Sequence, residues 1–194
     1  LRPRRQRQMC IRDRNKAANE IKERVNTELQ SNIDTPWVGT FHSIFAKFLR
    51  KHSGLVNLKS NFTILDIEDQ KKLLKQVLEY CKIDKDISEA IYHNEIQNLK
   101  DNKILFNENK KISKFSSIER LDDIYSYYQQ RLIEINAVDF GDILLHSYTI
   151  LSSNIDITKS YQNFIEHVLI DEFQDTNFIQ NKWLNLIINK NKNI

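Results

Sequence analysis

The feature that most constrains this chain is a short β-branched run that ends in acid. His167-Val168-Leu169-Ile170 is followed at once by Asp171 and Glu172, within the string VLIDEFQDTN at residues 168–177. A run this short and apolar predicts a buried parallel strand. Such a strand delivers the residues after it to the carboxyl edge of a sheet, where open α/β folds place their ligands. Successive side chains on a strand point to opposite faces, but where the backbone turns both acids can face one site. Two adjacent carboxylates there suit phosphoryl chemistry. One holds Mg²⁺, largely through water, and its neighbour orients and deprotonates an attacking water. The plainer alternative is a set of acids gathered at the positive end of a helix. The fuller DEFQDTN, with Gln180 three residues beyond Asn177, is more specific than a bare apolar-acid string.

The rest of the chain reads as mostly helical. Ala17, Ile21, Val25 and Leu29 recur every four residues, which predicts a helix over 15–30 with Asn15 as its N-cap. Pro36 breaks the chain, and residues 37–40 are expected to be short and extended. A helix over 41–52 carries Ile44, Phe45, Phe48 and Leu49 on one face and stops at Ser53-Gly54. Asp66 caps a run in which Leu73, Leu74, Val77, Leu78 and Cys81 share a side. Further helices are expected over 87–99, over 117–135 and from Asp139 to about Leu151, with 100–115 as loop. A last helix follows Thr176, with Ile179, Trp183, Leu186 and Ile187 apolar.

Charge and glycine usage narrow the chemistry. Residues 1–14 hold six arginines against Asp13, a local +5. The whole chain is only +3, which leaves the other 180 residues at −2. Nucleic-acid binding must therefore come from local placement of charge rather than a global field. The 1–14 segment has no periodicity and is expected to be a non-native-looking basic leader, foreign to the fold. Three glycines occur, Gly39, Gly54 and Gly141, no two of them close. A phosphate-cradling loop needs clustered glycines so that backbone N–H groups converge on the anion, and this sequence has none. Cys10 and Cys81 make no disulfide framework. No apolar run approaches the roughly 20 residues of a membrane span, so a cytoplasmic protein with no membrane partner is the expectation.

VLIDEFQDTN resembles motif II, the Walker B segment, of the UvrD/Rep/PcrA helicases of superfamily 1. Other stretches agree with that family in its order. NKAANEIKERV (Asn15 to Val25) resembles the end of motif Ia, and VGTFHSIFAKFLR (Val38 to Arg50) resembles motif Ib. AVDFGDIL (Ala137 to Leu144) resembles the segment leading back into the first motor domain. FTILDIEDQ (Phe62 to Gln70) and YYQQRL (Tyr127 to Leu132) match its inserted helical subdomain. The resemblance covers about residues 15–190.

It implies an ATP-driven motor that moves 3′ to 5′ on single-stranded DNA and opens duplex at single-strand/duplex junctions, in repair or replication. Matched position by position, Asp171 is the Mg²⁺-coordinating acid and Glu172 the catalytic base. Gln174 and Asp175 link the ATP site to neighbouring motifs. Thr40, Phe41 and His42 line the single-strand path, and Asn15 and Lys16 lie close to DNA. Plainer roles stand beside these. Thr40 serves equally as an N-cap, Phe41 as core, His42 as a buried histidine and Lys16 as a solvated charge.

The implied fold is α/β: an incomplete RecA-like P-loop NTPase domain with a parallel sheet and an inserted all-helical subdomain. The expected divisions are the 1–14 leader, a first motor segment over 15–52, the helical insertion over 53–135, and a return to the motor over 136–194. Two other readings remain. One is the helicase subunit of a recombination helicase–nuclease such as AddA or RecB, against which stand the GTFHS form of motif Ib and the compact insertion. The other is a non-catalytic DNA- or partner-binding remnant. The family's Gly-rich loop and phosphate-binding Lys have no counterpart here, and Ile11 to Arg14 stand where it has a Thr-Phe-Thr-like stretch. The expectation is an internal piece of a helicase. Phosphoryl transfer relies on P-loop amides and Lys as well as metal and base, so the 194-residue chain is expected not to hydrolyse ATP alone. Phosphate release assays with and without single-stranded DNA check this, and DNA-stimulated turnover by the purified chain contradicts it.

Overall fold

The structure is a computed structural model that describes residues 20, 23, 27, 37–83, 88–101, 118, 120–165 and 167–188. The chain divides into two compact units, 1–48 and 49–194. In the first unit Glu20, Glu23 and Thr27 are helical, and the Thr27 hydroxyl donates to the Glu23 carbonyl at 2.8 Å. The remainder of the helix expected over 15–30, with Asn15 and Lys16, lies outside the described residues, as does the 1–14 leader.

Residues 37–40 are turn and bend rather than extended strand. The local reason is Thr40, which ends the loop by capping α1 (Phe41–His52). Its Oγ1 accepts from the Ser43 amide at 3.3 Å, and its carbonyl accepts from the Ile44 amide at 3.0 Å. Side-chain capping of this kind satisfies amides that the first helical turn leaves unpaired. The helix buries Phe45, Phe48 and Leu49. Lys51 and His52 follow in its last turn, where cations suit the helix dipole.

In the second unit, Ser53–Val56 forms a 3-10 turn that closes on Asn57, whose φ of 59° is left-handed. Strand β1 (Thr63–Ile64) pairs in parallel with β2 (Ala137–Val138), Thr63 opposite Ala137 and Ile64 opposite Val138. Between them run α2 (Ile67–Tyr80), α3 (Glu89–Asp101) and α4 (Leu121–Glu134). Asp66 caps α2 by accepting from the Glu68 and Asp69 amides, as its position predicts. Leu74 and Val77 of α2, Tyr92 and Ile96 of α3, and Ile124 and Leu132 of α4 meet in one apolar core. Burial of such side chains contributes roughly 1.5–3 kcal/mol each. The fourth helix starts at Leu121, not 117, because Arg120 adopts a left-handed conformation with φ 50°.

Beyond β2 come α5 (Phe140–Ser153), α6 (Ile155–Phe164) and α7 (Phe178–Ile187). α3, α6 and α7 all pack on α5. Gly141 explains the approach of α3: a Cβ there would lie 2.9 Å from the Lys100 Cδ and 2.9 Å from Gln97 Oε1. The whole is a mostly helical α/β structure with one small parallel sheet among the described residues.

One expected element is absent. Residues 167–170 form no strand, and Leu169 is 94% exposed. A parallel strand is stabilised by neighbours on both edges and cover on both faces. Among the described residues the only ladder joins β1 to β2, so nothing pairs with 167–170.

Candidate functional site

Two polar constellations stand out in the second unit, one buried and one exposed, and they meet at the end of α3. The buried one begins with Lys100, whose side chain is wholly shielded from solvent. Its Nζ lies 2.6 Å from Asp139 Oδ2 and 2.7 Å from Asp142 Oδ1. Burying an ammonium is costly unless it is paired and hydrogen-bonded, and here two carboxylates meet it. Asp139 also accepts from Gln97 Nε2 at 3.0 Å and from the Tyr128 hydroxyl at 3.2 Å. Asp142 accepts from Gln129 Nε2 at 3.2 Å. The Asp139 and Asp142 side chains further take each other's backbone amides at the start of α5, a reciprocal capping box. The box sets carboxyl groups at the positive end of that helix, where negative charge is favoured.

The two acids titrate in opposite directions. Burial pushes Asp139 up, but the Lys100 charge and the hydrogen bonds outweigh it and hold the carboxyl below the usual range. Burial and then the Asp139 charge hold Asp142 above that range, against the pull of Lys100. Tyr128 is raised by burial and by the Asp139 charge. Burial lowers His93, whose Nε2 pairs with Gln70 Oε1 at 2.8 Å.

The exposed constellation is the segment 171–177. Asp171 and Glu172 lie in a bend, and Phe173–Asp175 form a single 3-10 turn. Glu172 is left-handed, φ 50° and ψ 47°, a conformation that costs a non-glycine residue roughly 1–2 kcal/mol. That twist lets its carbonyl accept from the Asp175 amide at 2.9 Å. Asp171 Oδ1 accepts from the Glu172 amide at 3.0 Å, and Gln174 Nε2 donates to Glu172 Oε2. The structure thus brings Asp171, Glu172, Gln174 and Asp175 into one turn, all four exposed. Asn177 then caps α7 in a second capping box with Gln180. Its Nδ2 reaches across to Asp101 Oδ1 at 3.2 Å.

The expected DNA-facing residues lie in the first unit. Thr40 caps α1, and Phe41 packs on Phe45 with ring centroids 5.9 Å apart. His42 sits half-buried in the first turn of α1. Asn15 and Lys16 lie outside the described residues. Sequence reasoning did not single out Lys100, Asp101 or Gln97. A signal was present: Asp139 and Asp142 stand three apart at a helix start, and Lys100 follows Ile96 by one turn on a helix's apolar side.

The comparisons with known proteins agree with the motif order. A family model described as the UvrD/REP helicase N-terminal domain matches residues 8–194. The chain belongs to that family. It is 32% identical over 188 residues to ATP-dependent DNA helicase PcrA of Staphylococcus aureus, covering 96% of this chain and 26% of that protein. It is 35% identical over 191 residues to DNA helicase II of Haemophilus influenzae, covering 94% and 26%. A probable DNA helicase II homolog of Rickettsia felis is 36% identical over 184 residues, covering 93% and 28%. The chain therefore spans about a quarter of the length of these relatives.

The buried pair makes stability depend on pH with a definite sign. Asp139 binds its proton more weakly in the folded chain than unfolded, where an Asp titrates at about 3.9. Its contribution is present above that value and is lost as pH falls through the lowered folded pKa. Asp142 opposes this, because its proton is held more tightly in the fold. Urea unfolding followed from about pH 6 to about pH 3 is expected to show a larger acid-side loss of stability in Asp142→Asn, which removes the opposing group and leaves Asp139 alone beside Lys100, than in wild type. An equal or smaller loss in the variant contradicts the assignment.

Proposed function

We propose that this chain is part of the ATP-binding region of a 3′-to-5′ DNA helicase that moves on single-stranded DNA and opens duplex at junctions, serving repair or replication. The observation that carries this reading is the 171–175 turn, which holds the family's acidic string on an exposed surface with two carboxylates in succession. In this reading residues 15–52 and 136–194 belong to a RecA-like motor domain and 53–135 to its helical insertion. The β1–β2 pair, which brackets α2, α3 and α4, supports that division. The solvent-facing Leu169 supports a role for 167–170 as a sheet strand that gains its neighbours in the complete motor.

Asp171 fits Mg²⁺ by chemistry: it offers a hard, exposed carboxylate oxygen. Among the described residues no group of three or more His, Cys, Asp or Glu could cage a metal. A metal at Asp171 would thus rely on water and phosphate oxygens for most of its shell, the manner in which Mg²⁺ is ordinarily held beside nucleotides. Bound there with ATP, it would neutralise charge on the phosphates. Glu172 would orient and deprotonate the attacking water, its carboxylate fixed meanwhile by Gln174. Gln174 and Asp175 would carry changes at the ATP site to adjoining motifs. Thr40, Phe41, His42, Asn15 and Lys16 would contact the DNA strand, and Phe41 by stacking would add roughly 1–3 kcal/mol per base.

Two measurements test this. In the complete helicase, Glu172→Gln is expected to bind ATP with Mg²⁺ as wild type does while turnover falls by roughly 10²–10⁴; undiminished turnover contradicts the reading. For the 194-residue chain, fluorescence anisotropy is expected to show single-strand binding that weakens steeply with salt and weakens again in Phe41→Ala. Binding indifferent to both contradicts the DNA-path assignment.

A further inference from the structure

The end of α3 places two neighbouring residues in two different constellations. Lys100 is locked into the start of α5 by Asp139 and Asp142. Asp101, the next residue, accepts from the side-chain amide of Asn177 at the start of α7. An acid at the last position of a helix sits against that helix's dipole. Burial, and then the charge of Asp139, raise its pKa further. Asp101 thus occupies a position that neither its own helix nor its surroundings favour. What offsets this is the positive end of α7, together with the Asn177 bond. Asn177 in turn has both ends of its amide engaged: Oδ1 takes the Gln180 amide at 2.9 Å and Nδ2 gives to Asp101. It is the residue on which the 171–176 turn ends.

We infer that Asp101 is a positioning residue for the acidic turn, tethering the exit of 171–177 to the helical insertion through Asn177. The inference rests on the reading of Asp171 and Glu172 as metal acid and base, and adds to it a mechanical route. Within the insertion α3 is pinned at Lys100, so its terminal carboxylate is a fixed post. Movement of the insertion moves Asn177, and with it the Asp175 and Thr176 amides whose bonds to Glu172 and Phe173 shape the turn. Asp101 touches neither metal nor nucleotide in this scheme; it acts through Asn177.

Amide hydrogen exchange of the 194-residue chain, followed residue by residue by NMR, tests the tether. In Asp101→Ala the Thr176 and Gln180 amides are expected to exchange about tenfold faster, the factor one lost hydrogen bond gives. Leu78 and Leu132, in the α2 and α4 core, are expected to hold their rates and so report an intact fold. Asp101→Asn keeps an acceptor for Asn177 and is expected to stay near wild type. Asn177→Asp sets two carboxylates against each other and is expected to exchange as fast as Asp101→Ala. The double variant Asp101→Asn/Asn177→Asp restores the bond with its polarity reversed, leaves an oxygen to cap Gln180, and is expected to recover protection. Unchanged exchange in Asp101→Ala, or a double variant no better protected than Asn177→Asp, overturns the tether. Added Mn²⁺ reads the function separately. Broadening of the Asp171 and Glu172 amides is expected in wild type at lower Mn²⁺ than in Asp101→Ala. Intact exchange behaviour with no Mn²⁺ broadening in any variant overturns the positioning role through the metal-site reading rather than through the tether.

Discussion

A single buried cation organises the second unit. Lys100 has no exposed surface, and its ammonium is stable there only because two carboxylates and their hydrogen-bond partners come to it from three helices. The partners cannot be moved independently. Gln97 and Lys100 belong to α3, Tyr128 and Gln129 to α4, and Asp139 and Asp142 begin α5. Separating α3 from α5 leaves a charge unpaired in a dry interior, a loss of about 3–5 kcal/mol, and shifting α4 strips the carboxylates of the Tyr128 and Gln129 hydrogen bonds. Apolar packing between α2, α3 and α4 brings the helices together but tolerates several arrangements. The charge cluster is directional, and Gly141 clears the space it needs.

From that fixed point the exposed acids inherit their placement. The turn at 171–175 is shaped by short-range bonds around a left-handed Glu172. Its downstream end is held by the Asn177 cap, and the cap is held by α3. In a nucleotide motor this separation is useful. On the proposed reading, the carboxylates that would meet metal and water stay solvated, while Asn177 and Asp101, which would aim them, are half-buried. The family to which the chain belongs names helicases among its members.

Much of this was legible from the residues alone, and the failures have physical causes. Asp66 and Asp139 announced their helices because a cap is a local interaction, settled within four residues. The ordered strings around residues 38–50, 137–144 and 168–177 were enough to point to the family. The cation opposite Asp139 and Asp142 was not read from the residues, since Lys100 lies 39 positions away along the chain; its place one turn after Ile96 hinted at burial but not at which charges would meet it. The 167–170 run was read as strand from its composition, yet strand is a property of pairs, and no described residue pairs with it. The sixth helix, over 155–164, lacked a clear apolar period and was not anticipated.

The central claim, that the Lys100 ion cluster fixes the helical arrangement on which the acidic turn depends, is tested most directly by a double-mutant cycle. Urea unfolding of wild type, Lys100→Met, Asp139→Asn and the double variant gives the coupling between the two side chains. The account predicts strong non-additivity, about 1.5 kcal/mol or more for directly contacting buried charges. Effects that add to within about 0.5 kcal/mol, the behaviour of distant sites, would contradict it.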